Sequence, residues 1–230
     1  MQIENNKPST LLGLTLQELT QLAEGASQPA YRGKQLFHAL YSERITALEQ
    51  ISTLPQEFRS TLDQQSFEVG LPTVDKKFVS SDGTVRYLLS FSDGQSVEAV
   101  WMPEGDDGES GDGSEAGEHL DAPRKDASRK YARATICLSS QVGCAVDCQF
   151  CLTALLGIKR NLSSGEIVGQ VCAILNDQKV SPPNDRVNLV FMGMGEPFLN
   201  YPNFSKAVGL FVDGFGIRES GMTVSTAGIV

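Results

Sequence analysis

The most informative stretch of this chain is SSQVGCAVDCQFC at residues 139–151. It places Cys144, Cys148 and Cys151 in the spacing C-x-x-x-C-x-x-C, on a loop that follows a predicted strand over residues 132–138. Three thiolates on one tight loop can bind three irons of a 4Fe–4S cluster. The fourth iron then has no cysteine in the loop and stays open to a small molecule. The spacing therefore predicts an iron–sulfur site with an open iron.

A zinc site is the alternative interpretation of three clustered thiols. Structural zinc sites favour two C-x-x-C pairs or additional histidines. The sequence contains two histidines, His38 and His119, and neither is close to the cysteines along the chain. The composition therefore favours an iron–sulfur cluster over zinc.

A second motif, FMGMGEP at residues 191–197, follows a predicted strand over residues 187–191. Its glycines allow the backbone to approach a ligand closely. Ligands bind at the carboxyl ends of parallel strands. Such a turn is by itself more often an ordinary connection between a strand and a helix. One strand after the cysteines, it predicts a ligand-binding turn.

The chain divides into four predicted parts. Capping-box and amphipathic patterns predict a helical accessory domain over residues 1–66, and period-two alternation predicts a three-stranded β meander over 67–102. Residues 103–129 are rich in Gly, Ser, Asp and Glu and are predicted to be a disordered acidic insertion. Alternating strands and helices over 130–230 predict part of a parallel barrel. The predicted fold is α/β, a truncated barrel, because three strands do not close one.

Charge and cysteine content narrow the class of protein. The net charge is −9, but residues 103–129 hold nine acidic and three basic side chains, so the rest is nearly neutral and an RNA partner is not excluded. Five cysteines, mostly clustered, favour metal or redox chemistry over a disulfide scaffold. No signal peptide and no apolar run of about 18 residues are found, which predicts a cytoplasmic protein without membrane contact.

The two motifs together resemble the RlmN/Cfr family of radical S-adenosylmethionine (SAM) methyltransferases, which act on adenine in RNA. The match runs over residues 32–230 and is closest over 133–200. YRGKQLFHALY at residues 31–41 is similar to the family's helical accessory domain. The resemblance implies a 4Fe–4S cluster and SAM as cofactors, held in a radical SAM barrel.

The resemblance also implies the reaction, which is closest to that of the RlmN branch: methylation of carbon 2 of adenine in 23S rRNA, with tRNA as a second substrate. The electron donor would be a flavodoxin or ferredoxin. Two alternatives stay open. One is the Cfr-type enzyme that methylates carbon 8, and the other is a non-catalytic RNA-binding fragment.

Roles follow from the resemblance residue by residue. It assigns the cluster to Cys144, Cys148 and Cys151, SAM contacts to Gly195, Glu196 and Ser225, proton acceptance to Glu98, and resolution of a covalent adduct to Cys137. The adduct forms on a methyl-carrying cysteine expected beyond residue 230, and Cys137 releases it through a transient disulfide. Without that cysteine, the chain alone is expected to be inactive.

Several of these residues also have a simpler structural interpretation. Glu98 breaks the apolar pattern of a strand, which fits an inward carboxylate, but a surface glutamate on an edge strand has the same pattern. Cys137 alone reads as a small buried hydrophobe, as does Cys172 on a helix, and Ser225 alone reads as an ordinary strand-end serine. Basic residues that are candidates for RNA contact are Arg32, Lys34, Arg44, Lys159 and Arg160.

Overall fold

The computed structural model describes residues 9–104 and 133–229. In these ranges the α-helices are Leu16–Gly25 (α1), Tyr31–Phe37 (α2), Gln56–Gln64 (α3), Ser164–Gln178 (α4) and Tyr201–Asp213 (α5). The strands are Ser9–Thr10 (β1), Phe67–Glu68 (β2), Thr73–Val79 (β3), Val85–Ser90 (β4), Ser96–Glu104 (β5), Arg133–Cys137 (β6), Gln141–Val142 (β7), Arg160–Asn161 (β8), Val187–Phe191 (β9) and Met222–Val224 (β10). Apart from Pro103 and Glu104 in β5, the predicted acidic insertion lies outside the described residues.

A six-stranded mixed sheet, in the order β10-β9-β6-β5-β4-β3, forms the centre of the fold. The pairs β3–β4, β4–β5 and β5–β6 are antiparallel, whereas the pairs β6–β9 and β9–β10 are parallel. The α/β prediction is confirmed. The meander and the barrel portion, predicted as separate domains, contribute their strands to this one sheet.

Local sequence signals explain where two helices begin. Thr15 caps α1 and Ser163 caps α4, and each exchanges hydrogen bonds with a glutamate three residues later, which is the pattern of a capping box. The helix α4 then buries ten of its fifteen residues. The Tyr87 hydroxyl of β4 donates to Asp177 of α4 at 2.7 Å, so this helix contacts the central sheet.

The sheet has one covered face and one open face. Along β5, Val97, Ala99 and Trp101 are buried in the core, while Glu98 is exposed and Val100 is half-buried. Helices cover the buried face, and the opposite side is called the open face below. In the described ranges, no α-helix is both long and apolar enough to span a bilayer.

The helical domain packs tightly against α4. Gly165 lies so close to Leu12 that an added Cβ would meet the Leu12 carbonyl oxygen at 2.2 Å. The buried Tyr41 hydroxyl accepts from the N–H of Gly13 at 3.0 Å and donates to Leu14 O at 2.6 Å. The Tyr41 bonds fix the N-terminal segment to its own helical domain, and the Ser164 hydroxyl donates to Gly13 O at 3.3 Å, which holds the same segment against the first turn of α4.

Candidate functional site

The cysteine loop, residues 143–158, is closed at its base by a short ribbon. Strands β7 and β8 pair antiparallel there, and the N–H of Lys159 donates to Val142 O at 2.9 Å. Gly143 has φ +75, and a Cβ there would lie 1.8 Å from the carbonyl oxygen of Gly157. Only glycine fits where the two ends of the loop touch.

The three thiols of the loop are half-buried and free. The N–H of Val146 donates to Cys144 Sγ at 3.4 Å. Hydrogen bonds from the hydroxyl and the N–H of Thr153 hold the pKa of the Cys151 thiol below its ordinary value. Such bonds favour the thiolate, which is the form that binds metal.

The donor chemistry of the loop fits a cluster better than a single ion. In residues 9–104 and 133–229, no three His, Cys, Asp or Glu side chains converge as they would around a bound metal, so only the donor types distinguish the two metals: three thiols and no histidine in the loop. A 4Fe–4S cluster instead takes its thiolates on different irons, around a larger body. In addition, the buried Ser140 hydroxyl has no hydrogen-bond partner in the described part of the chain. Because such orphaned groups are rare, this one fits a polar ligand at the base of the loop.

The predicted ligand turn lies against the base of the cysteine loop. This GEP turn, residues 193–197, follows β9. The N–H of Gly193 donates to Leu138 O at 3.0 Å, and the N–H of Ser140 donates to Met194 O at 2.8 Å. The structure therefore brings the two motifs together at the carboxyl ends of neighbouring parallel strands.

Glu196 is buried, and its carboxylate is fully engaged within the chain. It accepts from the N–H of Ala227 at 2.7 Å, the Thr226 hydroxyl at 2.8 Å and the N–H of Phe198 at 3.0 Å. Burial would raise the pKa of this carboxyl, but the three hydrogen bonds outweigh burial and hold the pKa below its ordinary value. The carboxylate therefore fixes the segment after β10, where the exposed Ser225 lies.

Sequence reasoning missed Thr226 and Ala227 as partners of Glu196. The contact with Ala227 uses its backbone N–H, so its side chain gives no signal. The one sequence signal for these bonds is the position of Glu196 beside a glycine in the turn, where a carboxylate can accept hydrogen bonds from groups of the same chain.

We expect Glu196→Gln to destabilise the protein by about 2 kcal/mol, because the amide turns a donor toward groups that themselves donate. The folded pKa of Glu196 is depressed, so its contribution is present above the ordinary value of 4.5 and is lost as the pH falls through the folded value. Chemical unfolding of both proteins between pH 7 and pH 3 measures this difference. Glu219→Gln, at an exposed glutamate just before β10, is the control. A stability difference that does not shrink in acid would contradict the assignment.

Cys137 and Glu98 both lie on the open face of the sheet. Cys137 pairs with Val100 in the neighbouring strand, two residues from Glu98, so the two candidate side chains lie on one side. Burial raises the pKa of the Cys137 thiol. The Glu98 side chain is 47% exposed and lies 3.4 Å from Arg86 Nη1. Glu98 is not on an edge strand, because β5 lies between β4 and β6. Its carboxylate is half exposed, so it is a surface group on the open face and not the inward carboxylate that the strand pattern suggested.

Other candidates have structural partners. The Arg44 guanidinium bonds to Asn176 Oδ1, Val180 O and Ser181 Oγ, and that of Arg32 bonds to Gln35 Oε1 and Thr53 O. Arg160 pairs with Asp93 at 2.6 Å and with Glu166 at 2.7 Å. These arginines connect parts of the fold, which leaves Lys34 and Lys159 as the exposed cations among the sequence candidates.

The remaining cysteine, Cys172, lies in the core, as predicted. It is 1% exposed on α4, and burial raises the pKa of its thiol to about 12. Such a thiol is inert at neutral pH.

Comparison with known proteins finds relatives that are named as methyltransferases. No family model matches the chain. "Probable dual-specificity RNA methyltransferase RlmN" of Koribacter versatilis is 60% identical over 90% of this chain and 57% of its own length. A protein of the same name from Heliobacterium modesticaldum is 38% identical over 99% of this chain and 54% of its own length. The crystal structure of a radical SAM methyltransferase from Sphaerobacter thermophilus matches with a TM-score of 0.76 at 32% identity, over 96% of this chain and 58% of that one. The chain thus spans somewhat more than half the length of these relatives.

Proposed function

The chain belongs to the RlmN family of radical SAM RNA methyltransferases, and we propose that it provides the cluster and SAM sites of an enzyme that methylates carbon 2 of adenine in RNA. The observation that carries this proposal is the junction between the cysteine loop and the GEP turn. Its hydrogen bonds hold a three-thiol loop beside a glycine turn, at the strand ends where α/β folds bind ligands.

Cys144, Cys148 and Cys151 would hold the 4Fe–4S cluster, and SAM would lie against the backbone of the GEP turn and against Ser225. When bound, the cluster and SAM together supply a carbon radical by reductive cleavage. The chain's own residues position these groups. Because the Glu196 carboxylate is already engaged, we assign to it the placement of the segment that carries Ser225. Gly195 would contact SAM through its backbone, since Gln141 fills the side on which a Cβ would lie.

Cys137 and Glu98 would act on the RNA base from the open face. The half-exposed Glu98 carboxylate is able to accept the proton that leaves the ring. The Cys137 thiolate then attacks the sulfur of the protein–RNA adduct. An S–S bond forms as the S–C bond breaks, and the electron pair passes to the methylene carbon, which takes up a proton to become methyl. The partner in this step would be a second cysteine, and Cys172, buried in α4, is not accessible for it.

The proposed substrates are 23S rRNA and tRNA, with reducing equivalents from a flavodoxin or ferredoxin. The experiment deletes the gene and measures methylated adenosines in rRNA and tRNA by mass spectrometry. We expect 2-methyladenosine to disappear and to return with the wild-type gene. The Cys137→Ser variant should restore less than about 1% of it, because the adduct is not resolved.

The carbon 8 alternative has a distinct result. Loss of 8-methyladenosine with 2-methyladenosine unchanged would contradict the proposed specificity while leaving the radical SAM chemistry intact. No change in either nucleoside would contradict RNA methylation itself.

A further inference from the structure

Gln141 is a buried glutamine with no role in the site as described above. It lies on β7 at the base of the cysteine loop and is 1% exposed. Its amide oxygen accepts from the N–H of Glu196 at 3.0 Å and from the N–H of Ala145 at 3.4 Å. Its amide nitrogen donates to Asn161 Oδ1 at 2.7 Å. One side chain therefore joins the GEP turn, the cysteine loop and β8.

The carbon stem of Gln141 also supports the GEP turn by direct contact. Gly195 has φ +101, and a Cβ there would lie 2.6 Å from both the Cβ and the backbone nitrogen of Gln141. The turn therefore rests on Gln141 with no space for another atom between them. Both this contact and the hydrogen bond from the N–H of Glu196 therefore attach Gln141 to the GEP turn.

The backbone alone does not make this connection. The N–H groups of Ser140 and Gln141 donate to Met194 O at 2.8 and 3.2 Å, and these bonds hold the strand ends together. Glu196 and Ala145 both lie beyond those bonds along the chain. The Gln141 amide is what links them to each other.

We propose that Gln141 is a positioning residue that sets the spacing between the cysteine loop and the GEP turn, and thereby the affinity for SAM. The inference rests on the proposed function, in which SAM contacts both the cluster held by the loop and the backbone of the turn. A ligand that spans two supports binds tightly when their spacing is fixed in advance. Gln141 acts through the two segments and not by touching SAM.

The test compares Gln141→Leu with a matched variant, Gln170→Leu, in protein reconstituted anaerobically with iron and sulfide. Gln170 is also fully buried, and its amide bonds twice to the backbone of Ser139. Its hydrogen bonds go to Ser139 and Glu166 and not to the GEP turn or the cysteine loop. Both variants lose a buried amide, so both should unfold at lower temperature.

Three quantities are measured for each variant: iron per chain, the dissociation constant of radiolabelled SAM by equilibrium dialysis, and hydrogen exchange of the metal-free protein. We expect Gln141→Leu to keep its iron and to bind SAM about tenfold more weakly, the loss expected for one buried hydrogen bond. Its Glu196 amide should exchange faster than in wild type. Gln170→Leu should bind SAM within about twofold of wild type.

Unchanged SAM affinity in iron-loaded Gln141→Leu overturns the inference, and so does an equal loss of affinity in both variants. If Gln141→Leu does not retain iron, Asn161→Ala decides, because it releases the Gln141 amide and leaves the stem in place. SAM binding about threefold weaker supports positioning, and unchanged binding overturns it. Wild-type protein that holds iron but does not bind SAM contradicts the proposed function instead, so the two failures are distinguishable.

Discussion

Substituting Gly143 with alanine prevents the cysteine loop from holding iron and destabilises the protein by about 3 kcal/mol or more. The new Cβ would lie 1.8 Å from the carbonyl oxygen of Gly157 and 3.0 Å from its carbon. Both are backbone atoms at the point where the loop closes, so relief of the overlap requires β7 and β8 to separate. The positive φ of Gly143 adds about 1–2 kcal/mol of strain. Iron per chain after anaerobic reconstitution and thermal unfolding measure the two effects.

Gly157→Ala is the matched control for this prediction. Gly157 also has a positive φ, +60, but nothing lies within 4 Å of a Cβ built there. We expect a normal iron content and only backbone strain, of about 1–3 kcal/mol, because φ +60 with ψ +172 is a conformation that essentially only glycine adopts. If both variants lose iron equally, closure of the loop at Gly143 is not what positions the cysteines.

The second large effect is expected for Cys148→Ala. Removing one of three thiolates leaves two ligands for the proposed cluster, so the visible absorbance of the reconstituted protein should be lost and the variant gene should not restore 2-methyladenosine in the deletion strain. Because Cys148 is half-buried on the loop surface, the metal-free protein should keep its stability to within about 0.5 kcal/mol.

Cys172→Ala is the same substitution outside the site. It removes a thiol from the core of α4, so it should lower stability by about 1 kcal/mol while leaving iron content and absorbance unchanged. An absorbance that survives in Cys148→Ala, or that disappears in Cys172→Ala, would contradict the assignment of the cluster ligands.

Much of this fold and site could be predicted because its signals are local in sequence. The capping boxes at Thr15 and Ser163 span four residues each, and the cysteine spacing spans eight. The glycine turn after β9 is likewise contained in one short motif. Such patterns involve residues that are close together in the sequence, so they can be recognised without knowing which distant residues they contact.

The contacts that were not predicted join residues distant in sequence, and several use backbone atoms. Glu196 binds the N–H of Ala227, 31 residues away, and Gln141 binds the N–H of Glu196, 55 residues away. Arg160 reaches Asp93, 67 residues away, in a turn of the meander. Side-chain type does not reveal whether a buried glutamine binds a nearby or a distant backbone group, so these links needed the three-dimensional structure.

In the proposed function, Cys144, Cys148 and Cys151 hold a 4Fe–4S cluster whose open iron binds SAM. Iron and sulfide analysis of the reconstituted wild-type protein, followed by electron paramagnetic resonance of the reduced cluster with and without SAM, tests this assignment. We expect about four irons and four sulfides per chain and a spectrum that changes when SAM is added. A single metal ion per chain, or a cluster spectrum that SAM leaves unaltered, would contradict it.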